Sequence, residues 1–296
     1  MTGIICINKP SDITSFGVCS RVRYATGEKK CGHAGTLDPM ATGVLPVLLG
    51  GATKFLDFLP ESDKEYRAEF MLGTVTDTLD ITGNIIEKNS VNADYKAVSR
   101  AAESFLGKIM QTPPMYSAVS VGGKRLYELA RQGIEVERQG REVEIKRICV
   151  EQINDVEYSI EVLCSKGTYV RTLIDDIGKR LGCGAVMTKL CRTLACGFPI
   201  EKCVSLDEIF KRKEENASFD DLIIPVDKAL SLYGAIAVTC AQGIRFKNGG
   251  ALDLGRIKYE TQQGRLYRVY SPENDFLGLG EADGGELRVK KLFIEK

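Results

Sequence analysis

Twelve residues constrain this chain more than any others: Gly32-His33-Ala34-Gly35-Thr36-Leu37-Asp38-Pro39-Met40-Ala41-Thr42-Gly43. Glycines at 32, 35 and 43 let the backbone turn tightly and approach a ligand. Pro39 fixes its own φ and steers Asp38 away from the helical region. The next residues, 43–49, form a short apolar run that reads as a buried strand. A carboxylate is thus presented on a stiff loop between a turn and a core strand, as a nucleophile must be. The same residues also fit a local turn in which Asp38 accepts neighbouring N–H groups. The loop alone does not choose between these two readings.

Around this loop the chain reads as a mixture of strands and helices. Residues 3–7 are β-branched and predict a buried strand, and Thr14 or Ser15 can cap a helix to Tyr24 with Phe16, Val18, Cys19 and Val22 on its buried face. Glycines 27, 32 and 35 mark a long loop, and a short helix is expected after residue 49 through Phe58. Tyr66, Ala68, Phe70 and Leu72 alternate over 65–72, a strand with one apolar face. Residues 95–106 and 123–133 are helical in pattern, and 142–150 and 155–164 read as paired strands. Over 168–181, Val170, Leu173, Ile174, Ile177 and Leu181 share a helical face, and 185–194 returns as a strand. Residues 211–218 read as a charged connection, and 235–296 as short strands between glycine turns.

Composition narrows the chemistry. The 296 residues suit one large domain and a small one. Forty basic and forty acidic residues cancel, so a nucleic-acid ligand would require charges sorted in space rather than in excess. There are ten cysteines but no C-x-x-C, and His33 is the single histidine. That pattern argues against a zinc site and for free thiols in a reducing cytoplasm. The N-terminus lacks a basic start followed by a long apolar run, so a signal peptide is not expected. Neither a P-loop nor a dinucleotide fingerprint occurs.

The loop extended to Gly43-Val44-Leu45-Pro46 resembles the signature of the TruB family, the bacterial tRNA pseudouridine-55 synthases. The resemblance runs collinearly over roughly 1–200, through Asn8-Lys9-Pro10, Ala52-Thr53-Lys54, Asp63-Lys64-Glu65-Tyr66, Thr76-Asp77-Thr78, Thr112-Pro113-Pro114, Cys164-Ser165-Lys166-Gly167-Thr168-Tyr169-Val170-Arg171 and Asp175-Asp176-Ile177-Gly178. It implies an α+β fold, a mixed sheet with flanking helices. Residues 1–232 would form the catalytic domain, with an RNA-gripping insertion at about 111–145, and 233–296 a small β-rich PUA-like RNA-binding domain. It further implies a cytoplasmic enzyme, acting as a monomer with no cofactor and no protein partner. The substrate would be the T-arm of tRNA, where one flipped-out uridine is isomerised to pseudouridine.

Residue roles follow from the same resemblance. Asp38 matches the family's essential aspartate, whether it attacks C1′ or C6 or first assists a glycal intermediate. Arg171 would pair with Asp38, although helical spacing alone pairs it with Asp175 at the surface. Tyr66 would stack on the target base and serve its C5 proton transfer, and His33 would fill the gap the flipped base leaves. Lys9, Tyr169 and Leu190 match positions that line the substrate pocket; taken alone, Leu190 in its apolar strand reads as core, and Lys9 at a strand end could support the site or touch phosphate. Two departures stand out. Asp12 replaces a usual glycine. Cys191-Arg192-Thr193 keeps one arginine where the family shows consecutive ones, which implies one RNA-backbone contact fewer. Arg245, Lys247, Arg265 and Arg268 are candidate phosphate contacts in the C-terminal part. A non-catalytic RNA binder on the same scaffold would not need Asp38, Tyr66 and Arg171 together. A thiol or metal enzyme would need stoichiometric metal or a reactive cysteine.

Overall fold

The computed structural model describes residues 1–60 and 63–293. β1 (Gly3–Lys9) is buried except at Asn8 and leads to α1 (Ser15–Thr26). Thr14 caps that helix by accepting the Gly17 N–H. Val18, Cys19 and Val22 face the core as expected, but Phe16 does not and is 70% exposed. Two residues before Val18, it projects about 200° round the helix from that face. The expected loop after Gly27 contains a short strand, β2 (Cys31–His33), paired with β3 (Thr42–Leu49). Three residues carry too little periodicity to announce a strand; the free edge of β3 supplies the pairing. A 3₁₀ helix spans Gly50–Phe58.

β4 (Lys64–Leu72) buries Tyr66, Ala68, Phe70 and Leu72. A hairpin of β5 (Thr74–Thr76) and β6 (Ile85–Lys88) follows, then α2 (Tyr95–Glu103) and β7 (Gly107–Gln111). Next come a small hairpin of β8 (Ser120–Val121) and β9 (Lys124–Arg125), and α3 (Leu126–Arg131). β10 (Arg141–Gln152) and β11 (Glu157–Cys164) are antiparallel partners, and α4 (Val170–Leu181) returns the chain to β12 (Ala185–Ala195) and β13 (Phe198–Pro199). Of the expected charged connection at 211–218, residues 211–214 are the end of α5 (Leu206–Glu214), capped by Ser205 with Leu206 and Ile209 buried, and 215–218 is the connection that follows. Leu206, Ile209 and Phe210 stand at i, i+3 and i+4 behind the Ser205 cap, a short helical signal that the reading of this stretch as a connection passed over. A one-turn helix, α6 (Val226–Ala229), closes this part.

Among the described residues nine strands make one mixed sheet, ordered β1-β3-β12-β4-β11-β10-β7, with β2 beside β3 and β13 beside β12. The β3–β12 pairing is parallel and short, through Thr42 and Gly43 opposite Cys191 and Arg192. β3 therefore starts against β12 and ends against β2, and the loop carrying Asp38 lies where its edge changes partner. Gly43 stands at φ +99°, and a Cβ there would lie 2.2 Å from the Arg192 carbonyl, so the approach requires glycine. α2 and α4 cover the apolar face of β4, while α1 and α5 cover one face of β1 and β3. The other face of β1 and β3 meets the 3₁₀ helix and the C-terminal part.

That C-terminal part is a second sheet of β14 (Gly234–Ala237), β15 (Leu252–Asp253), β16 (Leu266–Tyr270), β17 (Phe276–Asp283) and β18 (Glu286–Leu292), in the order β14-β16-β17-β18-β15. It also holds α7 (Cys240–Lys247), where only strands were expected. Thr239 and Gln242 close that helix in a reciprocal capping box, a local signal the strand reading passed over. The architecture is the expected α+β one, a mixed sheet with flanking helices and a β-rich C-terminal domain. Among the described residues no helix is long and apolar enough to cross a membrane.

Candidate active site

The loop at 34–41 is held from beneath by side chains that neighbouring elements supply. Ser15, the first residue of α1, both donates to the Leu37 carbonyl (3.1 Å) and accepts the Leu37 N–H (2.9 Å). Lys9, at the end of β1, donates to the carbonyls of Pro10 (2.9 Å), Pro39 (2.9 Å) and Ala41 (2.5 Å). Arg192 of β12 reaches the Gly35 and Val44 carbonyls, both at 2.9 Å. The Asp12 N–H donates to the Pro39 carbonyl at 2.9 Å, with Asp12 itself at φ 63°. That left-handed conformation explains a glycine at this position; aspartate tolerates it better than most side chains.

Asp38 extends from this braced loop to Arg171 of α4, whose Nη2 lies 3.0 Å from Oδ2. The guanidinium is buried and fully engaged. It also donates to the carbonyls of Tyr116 (2.8 Å) and Thr78 (3.0 Å) and pairs with Asp80 at 3.3 Å. Asp80 is held in turn by Thr78 and by the N–H and hydroxyl of Thr82. Asp175, the surface partner that helical spacing offered to Arg171, pairs with Lys179 instead. Among the described residues no local N–H donates to the Asp38 carboxylate, so the local-turn reading of that residue does not hold. Burial pushes the Asp38 carboxyl above its ordinary range; Arg171 opposes this, Asp80 adds to it, and Lys9 opposes it more weakly.

In front of the carboxylate lies a cavity of about 220 Å³ lined by Asp38, Tyr66, Tyr169, Arg171 and Leu190, together with Lys64, which sequence reading had not singled out. Tyr66 and Leu190 come from adjacent strands, and Tyr169 sits at the N-cap of α4. Its backbone is clasped by Gln111, which donates to the Tyr169 carbonyl (3.1 Å) and accepts its N–H (2.7 Å). Burial pushes the Tyr66 phenol up, partly offset by Arg192, which lies directly opposite in the strand register. The phenol therefore holds its proton at neutral pH.

A wider groove of about 750 Å³ opens beside Asp38 and Arg171, and His33 and the exposed Phe16 lie on its wall. Burial, and then Arg192, push the His33 imidazole down, so it is neutral at neutral pH. Its Nδ1 has no hydrogen-bond partner among the described residues. Tyr116, Ser117, Ala118, Tyr127 and Arg131, from the segment expected to grip RNA, form the opposite rim.

Two buried cations brace the loop. Lys9, expected to line the pocket, support the site or touch phosphate, is fully buried and its ammonium donates to three carbonyls, so it supports the site by positioning the loop and does not reach a ligand. Burial lowers its pKa to about 8, against the pull of Asp38 and Asp12. Arg192, the arginine kept where the family shows consecutive ones, is also fully buried and braces the same loop. Asp80, Gln111 and Ser15 were missed. An Asp-x-Thr step at 80–82 was the only trace of the first, and nothing local marks the other two.

Comparison with known proteins adds to this geometry. A family model for the TruB family pseudouridylate synthase N-terminal domain matches residues 23–170. Models for the tRNA pseudouridylate synthase B C-terminal domain and the pseudouridine synthase II TruB C-terminal region match 171–231 and 235–293. The tRNA pseudouridine synthase B of Clostridium tetani is 43% identical over 99% of this chain and 100% of its own length. That of Clostridium kluyveri is 42% identical with the same coverage. Among solved structures, one of a Cbf5–Nop10–Gar1 complex matches with a TM-score of 0.75 at 26% identity, covering 99% of this chain and 85% of the other.

Proposed function

This chain belongs to the TruB family of pseudouridylate synthases, and from that membership and the site around Asp38 we infer that it isomerises the T-loop uridine of tRNA, position 55, to pseudouridine with Asp38 as nucleophile. The observation that carries the reading is the buried Arg171 guanidinium holding Asp38 at 3.0 Å beside a nucleoside-sized cavity. The net reaction breaks the N1–C1′ bond and makes a C5–C1′ bond. The C5 proton leaves, N1 gains one, and no electrons are exchanged. Asp38 must be ionised to attack, and Arg171 favours that state. Tyr66 offers its ring to the base and its hydroxyl to the C5 edge, while Leu190 and Tyr169 complete the pocket walls. A neutral His33 on the groove wall is suited to stack in the space that the flipped uridine vacates.

The same reading makes residues 1–232 the catalytic unit, with the segment at about 111–145 gripping the T-arm, and residues 233–296 an RNA-binding domain. It assigns the enzyme to the cytoplasm as a monomer with no cofactor. The test is incubation with an unmodified tRNA transcript, followed by chemical mapping of pseudouridine. The wild-type chain should modify one T-loop uridine. Asp38→Asn should form none, yet bind tRNA within about tenfold, because few phosphate contacts change. Turnover by Asp38→Asn near the wild-type rate would refute the assignment of the nucleophile.

A further inference from the structure

Lys64 heads β4 two residues before Tyr66, so the two side chains share a face and both line the cavity. Its flanking residues point the other way and are paired, Asp63 with Lys146 and Glu65 with Arg147. The Lys64 ammonium, by contrast, makes no hydrogen bond and no ion pair with any described residue. It is half-buried, and burial followed by the nearby Arg192 guanidinium pushes its pKa down.

Arg192, at the same spot, donates to two neutral carbonyls, those of Gly35 and Val44. It is fully buried, no carboxylate pairs with it among the described residues, and its Nη1 makes no well-aimed hydrogen bond. Arg192 Nη1 and Lys64 Nζ stand 3.2 and 3.5 Å from the point where a Cβ on Gly35 would be. Lys64 on the cavity wall and Arg192 behind it are therefore two cations with no described carboxylate paired to either. Asp38 and Arg171 also line it, with Asp80 paired to Arg171 from behind, a group with a formal excess of one negative charge. Desolvated cations left unpaired are costly, and an anionic ligand removes that cost when it binds.

We propose that Lys64 seats a backbone phosphate flanking the target uridine. This rests on the reading of the Asp38 cavity as the uridine site. A nucleotide has an uncharged base and ribose joined to a phosphodiester, and the cavity has the matching polarity. The reacting centre would lie at Asp38 and the phosphodiester would turn toward Lys64. Arg192, walled off from solvent, contributes its field rather than a contact. The seat would fix which way round the nucleotide enters and place C1′ before the carboxylate.

The experiment compares full-length wild type, Lys64→Met, Lys64→Arg and Asp38→Asn. The RNAs are T-arm stem-loops bearing one methylphosphonate, 5′ or 3′ to the target uridine. Equal melting temperatures establish that the variants fold. Lys64→Met should weaken binding by about tenfold and flatten the slope of log affinity against log salt by roughly 0.7, the value for one phosphate contact on a single strand. Lys64→Arg should recover most of the affinity. One of the two methylphosphonates should weaken the wild type and Asp38→Asn alike, but should cost Lys64→Met almost nothing further. Penalties that simply add, or a Lys64→Met variant that binds normally but has lost its saturating rate, would overturn the seat. The binding arms with inactive Asp38→Asn read the seat independently of catalysis. Failure of the wild type to form pseudouridine would instead strike the uridine-site reading itself.

Discussion

At the residue scale the site depends on charges whose partners are specific. Arg171 serves two carboxylates and two carbonyls at once, which a planar five-donor fork can do and an ammonium cannot. Arg171→Lys should lower the single-turnover rate more than tenfold, a barrier increase above ~1.4 kcal/mol. Rapid quench with tritium-labelled uridine measures it, and an unchanged rate would show that Asp38 needs no fixed partner. The raised pKa of Asp38 sets a pH dependence. An acid whose folded pKa lies above its unfolded one loses relative stability as pH rises between the two values, because ionisation is disfavoured in the fold. Activity runs the opposite way, since the nucleophile is the ionised form. The acid limb of kcat/KM should therefore lie above the ordinary aspartate pKa. Asp38→Asn should gain stability over wild type as pH is raised through that window, as read from denaturant unfolding. A limb at or below the ordinary value would mean that the carboxylate is better stabilised than its surroundings suggest.

At the element scale one helix determines where Arg171 sits. α4 lies so close to β12 that a Cβ on Gly178 would come within 2.2 Å of the Ala185 backbone nitrogen. Gly178→Ala should push the helix outward, costing about 1–3 kcal/mol of stability and stretching the Arg171–Asp38 pair. A lower melting temperature together with a lower saturating rate is expected. Loss of stability with full activity would show that the pair tolerates displacement of its helix. The helix itself was plain in the sequence, because Val170, Leu173, Ile174 and Ile177 repeat at helical spacing and are all buried. β2 was not, because three residues fall below what periodicity resolves, and the first half of the expected connection at 211–218 proved to be the end of α5.

At the scale of the whole molecule the C-terminal domain does not hang free. The Phe55 ring lies 5.9 Å from that of Phe276 and 6.0 Å from that of Phe293, and Leu279 joins the same core. Arg268, a candidate phosphate contact by sequence, instead donates to the carbonyls of Tyr233 (2.9 Å) and Asp227 (3.1 Å). It fastens the domain to the segment around α6. Removing residues 233–296 should thus expose Phe55 and destabilise what remains by more than ~3 kcal/mol, the scale of losing a buried aromatic. Urea unfolding of the truncated chain against the full chain measures it. An unchanged midpoint would show that the two parts are energetically independent.

What could be read along the chain before folding are the parts whose cause is local. These are the stiff glycine–proline loop that presents Asp38, the alternation that buries Tyr66 on β4, the amphipathic face of α4, and the collinear motifs that carry the family resemblance. The roles of the charged residues emerged only from the folded arrangement. Lys9, Arg171 and Arg192 look alike in a sequence as cations near motifs. One became a brace under the loop, one the partner of Asp38 and of Asp80, which lies 91 residues away, and one a buried support beside Lys64. The physical reason is that apolar periodicity reports which way a side chain points relative to its own element. A charge takes its role from the carbonyls and carboxylates that other elements bring within about 3 Å of it, and those are known only once the chain has folded.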